Sequence, residues 1–226
     1  MTKKLLLSAI AFFAVSSYTF ADEYYSNYNS DTGTSYLQQQ HFGTGFYAGL
    51  AYGYTSVEDD YYEYFPTAGL SVQTDIDYNA LLFQGGYQYN PYIAFEFRYW
   101  MSFGDGDYSI SSNYPPLYPT PAGSYADFDA WGLYLKPMYP ISNELSVYAL
   151  LGLSGVSVTG EPGWDLLDDN DFSWGVGASY AITPNILLFA DYANLYDGAI
   201  DYYGFDSEST QDSSADSINV GVSYRF

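Results

Sequence analysis

Few side chains in this 226-residue sequence could carry acid–base or electrostatic chemistry. Glu96 and Arg98 stand two residues apart in a segment of alternating apolar and polar residues, so both belong to one face of a strand. Lys136, Asp191 and Arg225 fall on the polar faces of three other alternating segments. Opposite charges on the polar faces of neighbouring strands predict a buried network of ion pairs. Within it, we expect Glu96 and Lys136 to meet.

A second candidate site is the acidic run 165–171. Carboxylate and amide oxygens are the ligands that hard divalent cations take, and the run supplies them at Asp165, Asp168, Asp169, Asn170 and Asp171. It lacks the glycine and the terminal glutamate of an EF-hand loop. Cation binding at the four aspartates therefore competes with the commoner alternative, a solvated acidic loop.

Catalytic and thiol chemistry are not expected. The single histidine, His41, precedes the first alternating segment, whereas a Ser-His-acid arrangement needs its histidine beside the other two groups. The chain has no cysteine, which excludes disulfides and thiolate ligands. The sequence thus predicts a protein that is not an enzyme and has no cofactor.

The first 21 residues have the layout of a secretory signal peptide. Lys3 and Lys4 are followed by an apolar run over 5–15, and small residues at Thr19 and Ala21 suit cleavage. The run is shorter than the roughly 18 residues of a membrane-spanning helix. Residues 22–43, rich in Ser, Asn, Gln and Tyr, follow as a flexible periplasmic segment, and residues 44–226 form one domain.

Charge and aromatic content restrict the partners of the mature chain. Without the two lysines of the signal peptide it has 27 acidic and 3 basic residues, a net charge of 3 − 27 = −24. Nucleic acid is excluded as a partner, because its phosphates require clustered Lys and Arg. The 29 Tyr, 15 Phe and 4 Trp suit a membrane–water interface. Without a long apolar run, only a closed barrel could span a bilayer.

Eight segments alternate between large apolar and small or polar residues, as membrane strands of roughly 9–11 residues do. In the last one Ile218, Val220, Val222, Tyr224 and Phe226 share a face. The expected strands are 45–54, 76–90, 92–103, 124–139, 145–157, 169–182, 186–196 and 217–226. Short turns alternate with four longer segments that we expect to be outer loops, namely Ser56–Asp75, Gly104–Gly123, Val158–Asp168 and Asp197–Asp212.

The signal peptide, the eight segments, the charged stretch Glu96-Phe97-Arg98-Tyr99 and the terminal Tyr224-Arg225-Phe226 resemble the small OmpA-type outer-membrane barrels of Gram-negative bacteria. The resemblance covers about residues 43–226 and is closest to the barrel-only, opacity-protein-like members of the porin family. It implies an all-β, eight-stranded antiparallel up-and-down transmembrane barrel in the outer membrane. It also implies that Tyr224 and Phe226 belong to a signal for the barrel-assembly machinery.

The side chains of an eight-stranded barrel about fill its interior. We therefore expect a monomeric membrane anchor that displays four acidic, Tyr-rich loops and serves envelope integrity, adhesion or another surface interaction. The expected partners are outer-membrane lipids and lipopolysaccharide, with divalent cations bridging acids to phosphates. A narrow cation-preferring porin is the alternative, because inward glycines such as Gly49, Gly53 and Gly177 leave space. A barrel enzyme that modifies lipid A is the third.

Overall fold

The computed structural model describes residues 44–65, 68–104, 106–113, 127–160, 164–203 and 208–226. The predicted signal peptide and the segment 22–43 lie outside the described residues. Within the described ranges, no helix is long and apolar enough to cross a membrane.

In the described residues, nine antiparallel strands form a single closed sheet. β1 pairs with both β2 and β9, which closes the ring. β3 and β4 both pair with β2 and form one wall strand, interrupted at Gly104, whose φ of 87° favours glycine. The predicted eight-stranded barrel is thereby confirmed. The strands are β1 Gly45–Phe65, β2 Ala68–Asn90, β3 Ile93–Ser102, β4 Asp107–Ser112, β5 Asp127–Pro140, β6 Leu145–Gly160, β7 Trp164–Ala181, β8 Ile186–Tyr203 and β9 Glu208–Arg225.

The two faces of the wall follow the predicted alternation. Leu133 and Val220 point outward and are 56% and 60% exposed, whereas the inward Ala80, Arg98 and Asn219 have no exposed area. Successive side chains of a strand point to opposite faces, so this register places the apolar side against lipid. A shift of one residue would expose the charged side chains to lipid instead.

Exposed aromatic side chains form two girdles around the barrel. Tyr and Trp sit at membrane–water interfaces, so the girdles mark the two surfaces of the bilayer. The strands between them carry mainly Leu, Val, Ile and Phe on the outside. One girdle, near the short turns, holds Tyr89, Tyr92, Tyr139, Tyr180 and Tyr224, and the other holds Tyr52, Tyr54, Phe103, Trp131 and Trp174.

The expected long outer loops are wrong for the described residues, because the strands continue through them. β1 and β2 stay paired as far as Phe65 and Ala68, and Val158–Asp168 and Asp197–Asp212 are also largely strand. Gly104–Gly123 contains β4, and its remainder beyond residue 113 lies outside the described residues. Inward Val57 and Val158 are buried there, and Val57 pairs with the buried Ile76, so packing outweighs the turn-like composition.

Above the outer girdle the wall opens into two facing sheets. β7 and β8 pair only from Trp174 and Asn194 down to Ala181 and Leu187. Farther out in the described residues, β8, β9, β1, β2 and β4 form one sheet, and β5, β6 and β7 form the other. One apolar core with members from both sheets lies between them.

Candidate functional site

The lumen brings together four of the five charged residues of the predicted network. Glu96 and Arg98 reach inward from β3, Lys136 from β5 and Asp191 from β8. All four side chains are buried, and Arg98 has no exposed area. The alternation of each strand directs these four side chains into the lumen, because each residue occupies an inward position of its strand.

Arg98 is the centre of this network. Its Nη1 and Nη2 donate to the two carboxylate oxygens of Asp191 at 2.9 and 2.7 Å. Its Nε donates to Glu96 Oε1 at 2.6 Å. Glu96 Oε2 in turn accepts from Lys136 Nζ at 2.8 Å. Two cations and two carboxylates therefore cancel, and the ion-paired layer carries no net charge.

Neutral side chains complete the hydrogen bonding of the two carboxylates. Tyr47 donates its hydroxyl to Glu96 Oε2 at 2.5 Å. Tyr148 donates its hydroxyl to Asp191 Oδ2 at 2.6 Å, and Asn219 Nδ2 donates to Asp191 Oδ1 at 3.0 Å. A buried ion pair repays its desolvation only when its remaining acceptors are satisfied. In this network all four carboxylate oxygens have donors.

Inward-facing Gly86 and Gly177 lie against tyrosine side chains. A Cβ on Gly86 would lie 2.5 Å from the Tyr47 hydroxyl, and one on Gly177 would lie 2.7 Å from the Tyr148 ring and 2.5 Å from Asp191 Cβ. These glycines accommodate the tyrosines that hold the carboxylates. At Gly177, one of the glycines that favoured a porin, side chains therefore occupy the expected space.

An apolar layer closes the lumen above the charged one. Trp100 Nε1 donates to Asn219 Oδ1 at 2.9 Å and so joins the two layers. Farther out, the rings of Tyr78 and Phe128 stack with centroids 5.3 Å apart. Fully buried side chains fill the rest of this level, among them Leu82, Leu150, Leu195 and Val156.

Arg225, the fifth predicted member, lies lower, at the periplasmic mouth. Its Nη2 donates to Gln88 Oε1 at 2.9 Å. A cavity of about 30 Å³ between Arg225 and Lys136 also touches Tyr47 and Phe189. That volume holds one or two water molecules. On the inner side of this cavity, the side chains of Glu96 and Arg98 are fully buried.

The two residues assigned to the assembly signal lie at the periplasmic edge. Tyr224 points outward, is half exposed and pairs with Ala48 of β1 and Ile186 of β8. Its ring meets that of Phe226 edge to face at 5.2 Å. Both rings are therefore available at the lipid-facing surface.

The described part of the acidic run lies on a strand and not in the expected loop. Asp168, Asp169 and Asp171 lie on β7, and the alternation sends Asp168 to the opposite face from the other two. Asp169 accepts a hydrogen bond from the Tyr196 hydroxyl at 3.3 Å. The side chain of Asp165, like His41, lies outside what the structure describes. Among the described residues, no group of three or more His, Cys, Asp or Glu is placed to hold a metal ion.

The sequence matches the family model of the outer membrane protein beta-barrel domain over residues 6–226. The chain belongs to this outer-membrane barrel family. No curated protein is significantly similar to it in sequence. Among solved structures, OprG from Pseudomonas aeruginosa is 13% identical with a TM-score of 0.53, over 83% of this chain and 98% of OprG. This similarity supports the fold alone.

Two further solved structures are similar to this outer-membrane barrel. Neisserial surface protein A is 19% identical, with a TM-score of 0.41 over 81% of this chain and 99% of its own. Ail of Yersinia pestis, solved in complex with the heparin analogue sucrose octasulfate, is 14% identical, with a TM-score of 0.40 over 79% of this chain and 99% of its own.

In a Gram-negative outer-membrane barrel the short turns face the periplasm, so the strand extensions stand outside the cell. Their outer face is acidic. Glu58 lies directly across from Asp75, and Asp60 directly across from Asp212. Partial burial, and then the Asp75 carboxylate, raise the pKa of Glu58 above its ordinary value. Burial, followed by Asp75 and other nearby aspartates, likewise raises the pKa of Asp60.

Proposed function

We propose that the protein is a closed, non-enzymatic membrane anchor that presents an acidic, Tyr-rich surface outside the cell. The observation that carries this proposal is the filling of the lumen at two levels, an ion-paired layer around Arg98 and an apolar layer around Trp100 and Tyr78. A barrel closed in this way has its contacts with other molecules on the outside.

The charge distribution indicates the kind of contact. All three Lys and Arg side chains of the mature chain are inward-facing, at positions 98, 136 and 225, so the exterior carries acids without bases. Such a field attracts cationic partners and repels phosphate unless counter-ions intervene. We assign the surface to envelope integrity or adhesion, with lipopolysaccharide bound through divalent cations.

Shortening one hairpin tests the role of the outer surface. Val57 and Ile76 are direct cross-strand partners, so a short turn that joins them removes residues 58–75 without changing the register below. We expect this variant to assemble, which a gel band that shifts on boiling would show. Cells that carry it should lose adhesion or resistance to detergents. A full-length variant with Glu58→Gln and Asp60→Asn separates the effect of charge from that of shape. If the shortened protein supports both properties fully, the surface proposal fails.

Measurements of ion conductance test whether the lumen is closed. In planar bilayers the purified protein should show no steady, large channels, because buried side chains occupy both lumenal layers. Small cation-selective events would favour the narrow porin instead. Large anion-passing channels would contradict both the closed anchor and that alternative.

A further inference from the structure

A pocket of about 90 Å³ lies on the outer wall of the barrel, where β5, β6 and β7 leave the membrane. Trp131, Asp168 and Asn170 line it and are exposed, so the pocket opens away from the lumen. None of these residues belongs to the ion-paired layer or to the acidic face of β1 and β2.

Three cross-strand rows define the pocket. The row nearest the membrane centre is apolar, and its members are more than half exposed toward lipid. The middle row is aromatic and polar, and the outermost row has a carboxylate at each end. From the membrane outward, the rows are Leu133, Leu153 and Phe172; Trp131, Gly155 and Asn170; and Asp129, Ser157 and Asp168.

The central column of these rows carries small side chains, whereas the columns on either side carry larger ones. Gly155 and Ser157 occupy the middle of the two upper rows, between Trp131 and Asp129 on one side and the larger residues of β7 on the other. A Cβ on Gly155 would collide with the Trp131 indole nitrogen and with Asn170 Oδ1. Glycine at this position therefore lets the indole and the Asn170 side chain lie against the wall, where both line the pocket.

The lining suits an ammonium group. Its charged groups are the Asp129 and Asp168 carboxylates, and no Lys or Arg contributes to it. Asp129 Oδ1 already accepts the Tyr99 hydroxyl at 2.9 Å, which orients the carboxylate. An alkylammonium offers three N–H donors to such acceptors, and the adjacent indole attracts its charge. A headgroup that carries a phosphate but no amine would be repelled by both carboxylates.

The position in the membrane identifies the source of the amine. Trp131 belongs to the outer aromatic girdle, at headgroup depth, and the row of Leu133 and Leu153 below the pocket continues into lipid. A lipid whose acyl chains lie along that row would place its headgroup against Trp131 and Asp129. The geometry points to a binding site for a lipid headgroup that bears a primary amine. This inference goes beyond the proposed surface role and does not depend on it.

Indole N–H resonances provide the test. The full mature protein is placed in phosphatidylcholine nanodiscs, and phosphatidylethanolamine is titrated in. The Trp131 resonance, assigned by its loss in Trp131→Phe, should shift in a saturable way. The resonance of Trp174, a girdle residue outside the pocket, should not. Phosphatidylglycerol and N-acetylated phosphatidylethanolamine should leave both unchanged.

Two variants address the site itself. Asp129→Asn with Asp168→Asn should weaken the Trp131 response about tenfold, whereas the matched pair Asp197→Asn with Asp212→Asn, also exposed acids, should preserve it. Ser157→Leu places a larger side chain in the central column without changing the charge, and it should abolish the Trp131 response. A gel band that shifts on boiling verifies that each variant is folded. An undiminished response in the two site variants, or an equal response to phosphatidylglycerol, overturns the proposal. The same shift from magnesium chloride alone would make the pocket a cation site and equally overturn it.

Discussion

Arg98 and Asp191 meet across the full width of the barrel. They project from β3 and β8, which three strands separate in either direction around the ring, and two parallel hydrogen bonds of 2.9 and 2.7 Å join them. Neither side chain has any exposed area. A buried pair of this kind gains little net stability over apolar packing, but it strongly disfavours arrangements that separate the partners. The contact therefore specifies which walls of the barrel face each other.

Removing one partner of this contact should destabilise the barrel strongly. Asp191→Ala leaves the buried Arg98 with Glu96 alone and takes the acceptors from Tyr148 and Asn219. We expect the free energy of unfolding in urea to fall by about 3–5 kcal/mol. Asp212→Ala, at an exposed position, is the control and should change it by less than about 0.5 kcal/mol. Equal effects of the two changes would show that the contact contributes nothing specific.

Reversing the charges of Glu96 and Lys136 together should recover little of the stability that either single reversal loses. The reason is Arg98, whose Nε lies 2.6 Å from Glu96 Oε1 and would then face a lysine. Neutralising the pair as Glu96→Gln with Lys136→Met should lower the free energy of unfolding less than the single change Glu96→Gln does. The single change leaves the buried Lys136 without its carboxylate partner. Urea unfolding of the five variants measures both comparisons, and full recovery by the double reversal would mean that Arg98 is not coupled to Glu96.

Adding a methyl group at Gly177 should displace the ring of Tyr148, because the new Cβ would lie 2.7 Å from it. Overpacking of this kind costs about 1–3 kcal/mol. Gly85→Ala is the matched control, since the nearest atom to its Cβ would be 3.9 Å away. The midpoint of thermal unfolding in detergent should fall for Gly177→Ala and stay unchanged for Gly85→Ala. A normal midpoint for Gly177→Ala would mean that water, not the ring, occupies that space.

The outer end of the β1–β2 hairpin should be more stable at mildly acidic pH than at neutral pH. The pKa values of Glu58 and Asp60 are raised in the folded protein by burial and by neighbouring carboxylates. The folded state therefore binds protons more tightly, and local stability falls as pH rises from about 4, the unfolded value, through the raised values. Amide hydrogen exchange, corrected for intrinsic rates, measures this change. Glu58→Gln with Asp60→Asn should remove the pH dependence at those amides, and an opposite slope in the unmodified protein would contradict the assignment.

Divalent cations should strengthen the association with lipopolysaccharide. Both surfaces are anionic, so a cation that binds carboxylate and phosphate oxygens relieves their repulsion. Thermal unfolding with lipopolysaccharide should shift upward with millimolar magnesium or calcium, and a chelator should reverse the shift. Neutralising Glu58, Asp60 and Asp75 together should reduce it. A shift that a chelator leaves unaltered would indicate that the acids serve only solubility.

Much of the membrane-spanning barrel was predictable because its information is local. Alternation with a period of two separates outward Leu133 from inward Arg98 without knowledge of any partner strand. The outer extensions were missed because Asp, Ser and Gly favour turns when each segment is considered alone. A weaker signal was present in the same segments, since Val57 and Val158 keep the inward parity of their strands.

The sequence by itself determined which residues face the lumen and which face lipid. Side-chain direction depends on a residue's position in the alternation of its own strand and not on the neighbouring strands. Only the tertiary structure decided that Arg98 meets Asp191, that Tyr47 and Tyr148 lie against glycines, and that Trp131 lies over Gly155 and lines a pocket on the outer wall. Those contacts depend on the stagger between strands and on closure of the ring. Both arise from pairings between segments far apart in the chain, which no local pattern specifies.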